Sequence, residues 1–478
     1  MRVFHLKFSL AFLLVASSSA AAQQAAAPSQ APTQGQAGRQ LRGTAGLGAP
    51  PIQGAAVVTP GPSALSLEQA IQLAIQNNLT TLLARERRRE AQGLKQESLA
   101  ALLPNISGAT YQASLTENLA ALGFQPGTFP GFSTTFIGPF KNFDARAQLV
   151  QTIFNLSAIR NYQAGRATER IAELQEQLAR EQVASGTALV YLEALRAERS
   201  VAAAQANVDL AQALLKLAED QRAAGVATGV DVTRAQTRLA QEQVRLAQAQ
   251  TASDQARLNL QRVVGLPLES PLTLTDQLRF TDEPLPAVET AVRQAGENRP
   301  EVRIAEQQVR ASELERLAAR AEYLPSLEFV GDYGVSGITP NNTALPTRRA
   351  AIQLNVPIFN GGLTRGRLAV AASRQRQAEL ELGNVRGQVE EDVRLALATL
   401  RTAAQQVRAA DESVQLAQRE LEMARDRFRA GVADNLEVIT AQTALEDARD
   451  AQVTALAQYN AARLNLAAAL GRAQAFRW

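Results

Sequence analysis

The apolar positions of this chain follow two different periods. Val407, Val414, Leu421 and Phe428 fall seven residues apart with Ala410, Ala417 and Ala424 between them, and Val201, Val208 and Leu215 repeat the pattern with Ala204, Ala211 and Ala218. That spacing is the seam of a coiled coil, and alanine at alternate seam positions predicts close helix packing. The seams lie in the proline-free stretches 140–266 and 358–478 and predict long helices over about 156–223 and 361–429. Each would extend roughly 100 Å at 1.5 Å per residue. Gly225 and Gly431 follow them, as expected of residues that adopt the left-handed conformation at a helix C-terminus. Shorter helices are expected at about 66–102 and 288–322, each ending before a proline, Pro104 or Pro325. Ser66 and Gln69 have capping-box spacing at the first start, and Leu65 is placed to staple onto Ala70. In each half the short helices together match the long one in length, so the economical packing is a rod with two short helices stacked along one long helix.

Elsewhere the period is two. Leu327, Phe329, Tyr333 and Val335 alternate with Glu328, Asp332 and Ser336, while Ile352, Leu354, Val356 and Ile358 alternate with Gln353 and Asn355. These predict strands at about 326–337 and 347–358. Counterparts at about 105–119 and 145–154 alternate less cleanly. Strands of about 10 to 12 residues suffice for a tilted membrane crossing, whereas no window beyond the chain start approaches the roughly 20 apolar residues of a membrane-spanning helix. Four strands cannot close a barrel, since about eight is the smallest closed membrane size. Chains must therefore share one, and a trimer would supply twelve strands.

The order helix, two strands, long helix, tip, helix occurs twice. Glu68-Gln69-Ala70 matches Glu289-Thr290-Ala291, Asn77 matches Asn298, and Leu103-Pro104 matches Leu324-Pro325, all 221 residues apart. Ile153-Phe154-Asn155 then matches Ile358-Phe359-Asn360 at a spacing of 205, and Ala224-Gly225-Val226-Ala227 matches Ala430-Gly431-Val432-Ala433 at 206. The chain is two copies of one unit. The drop in spacing places about 16 extra residues in the first copy, a loop insertion containing Phe124, Phe129, Phe132, Phe136 and Phe140. These phenylalanines suit an aromatic belt or loop anchors, and equally the filling of a folded loop. The first repeat is placed at 65–265 with its tip at 224–229, a linker at 266–287, the second repeat at 288–472 with its tip at 430–434, and a short tail at 473–478.

Composition narrows the function. Residues 1–22 read as a secretory signal, with Arg2 and Lys7 before the apolar run Phe8 to Val15 and a small-residue cleavage site at Ala20-Ala21-Ala22. Residues 23–64, rich in Gln, Ala, Pro and Gly, read as a flexible leader. Removing the signal takes away His5 and two positive charges, so the formal charge falls from +3 to +1 and the remainder holds neither histidine nor cysteine. Disulfides, thiolate or imidazole metal sites, cysteine nucleophiles and a histidine base are excluded, and no metal or cofactor is expected. Carboxylate-only catalysis survives that test, but no convergent set of polar residues supports it. With 49 Lys+Arg against 46 Asp+Glu and alternating signs, the surface reads as solvated and not as a nucleic-acid patch.

The duplicated unit, the junction Val356-Pro357-Ile358-Phe359-Asn360-Gly361-Gly362, and the tips Arg222-Ala223-Ala224-Gly225-Val226 through Asp231-Val232 and Arg429-Ala430-Gly431-Val432 through Glu437-Val438 together resemble the TolC family of outer-membrane efflux proteins over residues 66–472. The fold so implied is mainly α with two β-hairpins, a duplicated coiled-coil α-barrel protomer contributing four strands to a shared 12-stranded barrel. The resemblance implies a homotrimeric conduit in the cell outer membrane with a long periplasmic extension. Its implied partners are a periplasmic adaptor and an inner-membrane pump of RND, ABC or MFS type. Phe154 and Asn155 stand at the matching junction of the first copy, which lacks the proline.

The resemblance also assigns roles. Gly225, Val226 and Ala227 with Gly431, Val432 and Ala433 would dock the adaptor, and Asp231 and Glu437, six residues after each tip glycine, would constrict the entrance with Asp434 beside them. A plainer reading stands next to this one: Thr228 with Asp231, and Asp434 with Glu437, have capping-box spacing, which places each acid where the helix dipole favours it. Ala433 and Thr440 occupy places where the family often carries an arginine and an acid of its closed-state lock. A periplasmic adaptor should show one coiled-coil hairpin flanked by a β domain, and a structural coiled-coil surface protein needs no strand pairs at matching positions; two hairpins with strands at their opposite ends favour the channel.

Overall fold

The computed structural model describes residues 53–59, 61, 64–123, 125, 135–282 and 284–477, which belong to a unit spanning Pro50–Trp478. The expected signal segment, the leader up to residue 52, and Phe124, Phe129 and Phe132 lie outside the described residues. The elements run β1 (Ala64–Leu65), α1 (Leu67–Asn77), α2 (Leu79–Ala100), β2 (Asn105–Asn118), β3 (Phe136–Phe154), α3 (Leu156–Ala223), α4 (Gly229–Val264), β4 (Thr273–Leu274), α5 (Val288–Asn298), α6 (Pro300–Ala321), β5 (Ser326–Gly337), β6 (Leu345–Asn355), α7 (Leu363–Arg429) and α8 (Asn435–Ala469). Among the described residues no helix is long and apolar enough to cross a membrane.

The two long helices stand where the seams predict them, but each expected first helix is two. At Asn78 the backbone leaves the helix (φ −70°, ψ 135°), and the Asn78 side chain accepts from Thr80 N at 2.9 Å to start α2. At the matching break Arg299 is held extended because Pro300 follows, and a proline disfavours the helical conformation in the residue before it. The staple at the chain's first helix is present: Ser66 and Gln69 complete the reciprocal capping box, and Leu65 and Ala70 are fully buried in one cluster.

Both hairpins contribute to a single antiparallel sheet of order β2-β3-β5-β6. β3 begins nine residues earlier than expected, at Phe136, so Phe136 and Phe140 belong to a strand and not to an inserted loop. β6 covers 345–355, not 347–358; it stops short of Pro357, whose nitrogen has no proton to give a ladder. Ile358 and Phe359 therefore continue outside the sheet, 95% and 88% exposed.

The leader is tied down near its end, contrary to its flexible composition. Ala55 N donates to Arg262 O at 3.0 Å, Ala56 N to Asn77 O at 2.8 Å, and Thr59 N to Gly265 O at 2.9 Å. The linker is tied to the same place, since β4 pairs in parallel with β1. Beneath lies a core around Tyr191, whose single hydroxyl proton is shared between Asp276 Oδ2 at 2.7 Å and Leu65 O at 2.9 Å. The second seam is buried from Val407 to Phe428, whereas in the first Val201, Ala204 and Leu215 are only half-buried. The tail packs back, with Ala473 and Phe476 in the Tyr191 core.

Candidate channel entrance

At both tips the long helix ends because its last carbonyls are satisfied by a left-handed glycine turn. Gly225 has φ +79° and Gly431 φ +72°. Val226 N and Ala227 N both donate to Gln221 O, and Val432 N donates to Arg427 O at 3.1 Å. The two turns touch. Asn435 Nδ2 donates to Asp231 O at 2.9 Å, and Gly431 lies against the Val226 side chain. Ala227 packs on the cluster of Phe428, Val438 and Ala441, while Val226, Val230, Val432 and Leu436 face outward.

The acids behave differently despite equal spacing. Asp231 closes a complete capping box: its Oδ2 accepts from Thr228 N at 2.8 Å and from Thr228 Oγ1 at 2.7 Å, and its own N–H donates to Thr228 Oγ1. Those Thr228 hydrogen bonds hold the Asp231 carboxyl below the usual carboxylate range. In the second tip Asp434 is the cap, accepting from Leu436 N and Glu437 N at 3.2 and 3.3 Å. Glu437 does not return the bond. Its Oε1 instead meets Arg427 Nε at 3.0 Å, and its side chain is 44% exposed against 13% for Asp231.

Roughly 17 Å along α8 from its start, at 1.5 Å per residue, the two coiled coils meet through buried charge. Glu446 on α8 receives hydrogen bonds from Arg238 and from Arg245 Nη1 (2.9 Å) on α4, and from Gln442 Nε2 at 3.0 Å. Glu242 is fully buried beside them, 3.3 Å from Arg245 Nη1 and 3.4 Å from Arg238 Nε. Burial pushes the Glu446 carboxyl up, opposed by the positive charge of Arg238.

At the opposite end the junctions also differ. Asn155 simply caps α3, accepting from Ala158 N at 3.0 Å directly after Phe154 ends β3. The second junction runs Pro357 to Gly362 through two left-handed glycines, Gly361 (φ +65°) and Gly362 (φ +85°), with Asn360 Nδ2 bonded to Thr364 Oγ1. The sheet has unlike faces. Register places Ile106 opposite Leu149, Phe329 opposite Ile352 and Leu327 opposite Leu354 on one face, and Asp332 opposite Arg349 on the other.

A model of the outer membrane efflux protein family matches residues 70–266 and 291–472. The chain belongs to that family. AprF of Pseudomonas aeruginosa, an alkaline protease secretion protein, is 27% identical over 326 residues, 66% of this chain and 68% of that protein. OpmQ of the same organism, a pyoverdine export outer membrane protein, is 25% identical over 301 residues, 62% of this chain and 61% of that protein. The solved structure of VceC from Vibrio cholerae matches with a TM-score of 0.73 at 18% identity, over 85% of this chain and 96% of that one, a likeness of fold. The family is one of outer-membrane channel and transport proteins, so the chain is a channel subunit and its place is the outer membrane. Sequence reasoning missed Arg427, Asn435, Arg238, Arg245 and Glu446. Only the heptad phase of α4 and α8, aligned residue by residue, could have brought the last three together.

Proposed function

We propose that three copies of this chain close one barrel and one helical tube, a passive conduit that does no chemistry of its own. The observation that carries this is the four-stranded sheet, largely apolar on one face, in which, among the described residues, β2 and β6 each have a strand neighbour on one side only. An exposed edge of this length seeks another strand, and a membrane tolerates no open edge. Pairing β6 of one copy with β2 of the next closes twelve strands in three copies. The helices continue below as the wall of the tube.

Val226, Val230, Val432 and Leu436 then form an apolar rim at the periplasmic end, suited to the helical hairpin of a periplasmic adaptor. Through that adaptor the conduit receives cargo from an inner-membrane pump of RND, ABC or MFS type. Of the three acids at the tips, Glu437 is the one whose carboxylate takes no part in capping and stays exposed beside Arg427, where passing ions meet it, while Asp434 and Asp231 serve as cap and capping-box partner. Native mass spectrometry of detergent-extracted protein should find three chains per particle; a monomer would refute the shared barrel.

A further inference from the structure

On the polar face of the sheet four charges on three strands cluster, one pair directly opposite in register and the other two along the neighbouring strand. Asp332 of β5 stands opposite Arg349 of β6, with Arg349 Nε 3.1 Å from Asp332 Oδ2. Arg146 of β3 donates from Nε to Asp144 Oδ1 at 2.6 Å and from Nη1 to Asp332 Oδ1 at 3.2 Å. Gly334, two residues along β5 from Asp332 on the same face, is the register partner of Arg146, and a Cβ there would come within 2.5 Å of the Arg146 backbone, so the close approach beside Arg146 requires glycine. The two signs are not equally presented. The Asp144 and Asp332 side chains are 6% and 8% exposed, whereas those of Arg146 and Arg349 are 37% and 64% exposed. Carboxylates beneath and guanidiniums above turn positive charge outward at this cluster, although its four charges sum to zero and Glu328 adds a negative one four residues away on the same face of β5.

We propose that Arg349, anchored by Asp332 and backed by Arg146, forms an anion-attracting ring in the membrane segment of the channel, opposite in sign to the Glu437-bearing entrance. The proposal rests on the channel reading above, which turns this face to the lumen. Twelve strands about 4.8 Å apart and tilted about 40° close at a backbone radius of roughly 12 Å. An arginine reaching inward from that wall brings its guanidinium to within about one Debye length, about 10 Å at 0.1 M salt, of the axis. Every ion that passes feels the ring. The ligands it takes are small anions and the carboxylate or phosphate groups of exported solutes, which a planar guanidinium binds through paired donors.

Reversal potentials of single channels under a KCl gradient test this. Arg349→Gln should lower the anion-to-cation permeability ratio by about twofold or more at 0.1 M and by much less at 1 M, where the Debye length is about 3 Å. Arg349→Lys should keep the wild-type ratio, and so should Arg348→Gln, whose residue lies on the opposite face. Because the chain contains no cysteine, Arg349→Cys can also be labelled with cationic or anionic thiol reagents, which should shift the ratio in opposite directions even if Arg349→Gln assembles poorly. An unchanged ratio in Arg349→Gln with a lowered melting temperature would assign the row to strand stitching alone and overturn the proposal, as would an equal effect of Arg348→Gln. Wild-type protein that assembles as a trimer but does not conduct overturns the channel reading itself, and the ring with it.

Discussion

Glu437 Oε1 sits 3.0 Å from Arg427 Nε and joins the first turn of α8 to the last turn of α7 across the second tip. At the matching place in the first tip Asp231 turns back on Thr228 instead. Two acids at one spacing therefore separate into a structural group and a group open to solvent.

Alanine substitution should distinguish them. Asp231→Ala removes the capping box and should lower stability by about 0.5–1 kcal/mol. Glu437→Ala loses only an exposed ion pair, worth about 0–1 kcal/mol, but should raise conductance or reduce cation preference, because carboxylates at a constriction concentrate cations. Thermal melting and planar-bilayer recording of the two variants check this; equal electrical effects would contradict the assignment.

Asp231 also sets a pH dependence. Its folded carboxyl lies below the ordinary value of 3.8, so its contribution is fully present above that value and is lost as pH falls through the lowered folded value. The melting difference between the wild type and Asp231→Asn should be constant near neutrality and shrink below about pH 4.

The buried charge between the coils carries more. Arg238→Ala leaves the buried pair Glu446 and Glu242 with Arg245 as their one remaining shared cation and should cost about 3 kcal/mol. Replacing Arg238 with Met and Glu446 with Leu together should cost less than Arg238→Ala, because the uncompensated charge goes too; denaturant titration of both variants decides this.

Gly431→Ala tests the turn itself. At φ +72° any side chain meets the left-handed penalty of roughly 1–2 kcal/mol, so the variant should melt lower and the last turn of α7 should exchange its amide protons faster.

Much of this was legible in the sequence because seams and strands are local periodic signals. The 156–223 helix, the Ser66 box and the glycine ends of α3 and α7 follow from spacing alone. The break at Asn78 was hidden because asparagine is compatible with a helix interior as well as a cap, and the early start of β3 because Gly138 and Pro139 read as loop. The tips were found from paired Gly-Val-Ala motifs. The division of labour between Asp231 and Glu437 was not, because it depends on Arg427 arriving from a different helix. The Arg238–Glu446 contact spans 208 residues and leaves no local trace.

The central claim is that this chain builds a shared channel, and single-channel recording of the purified, detergent-extracted protein in planar bilayers tests it most directly. Discrete conductance steps from a trimeric particle are the predicted result, whereas a trimer or monomer that leaves the bilayer silent would contradict it.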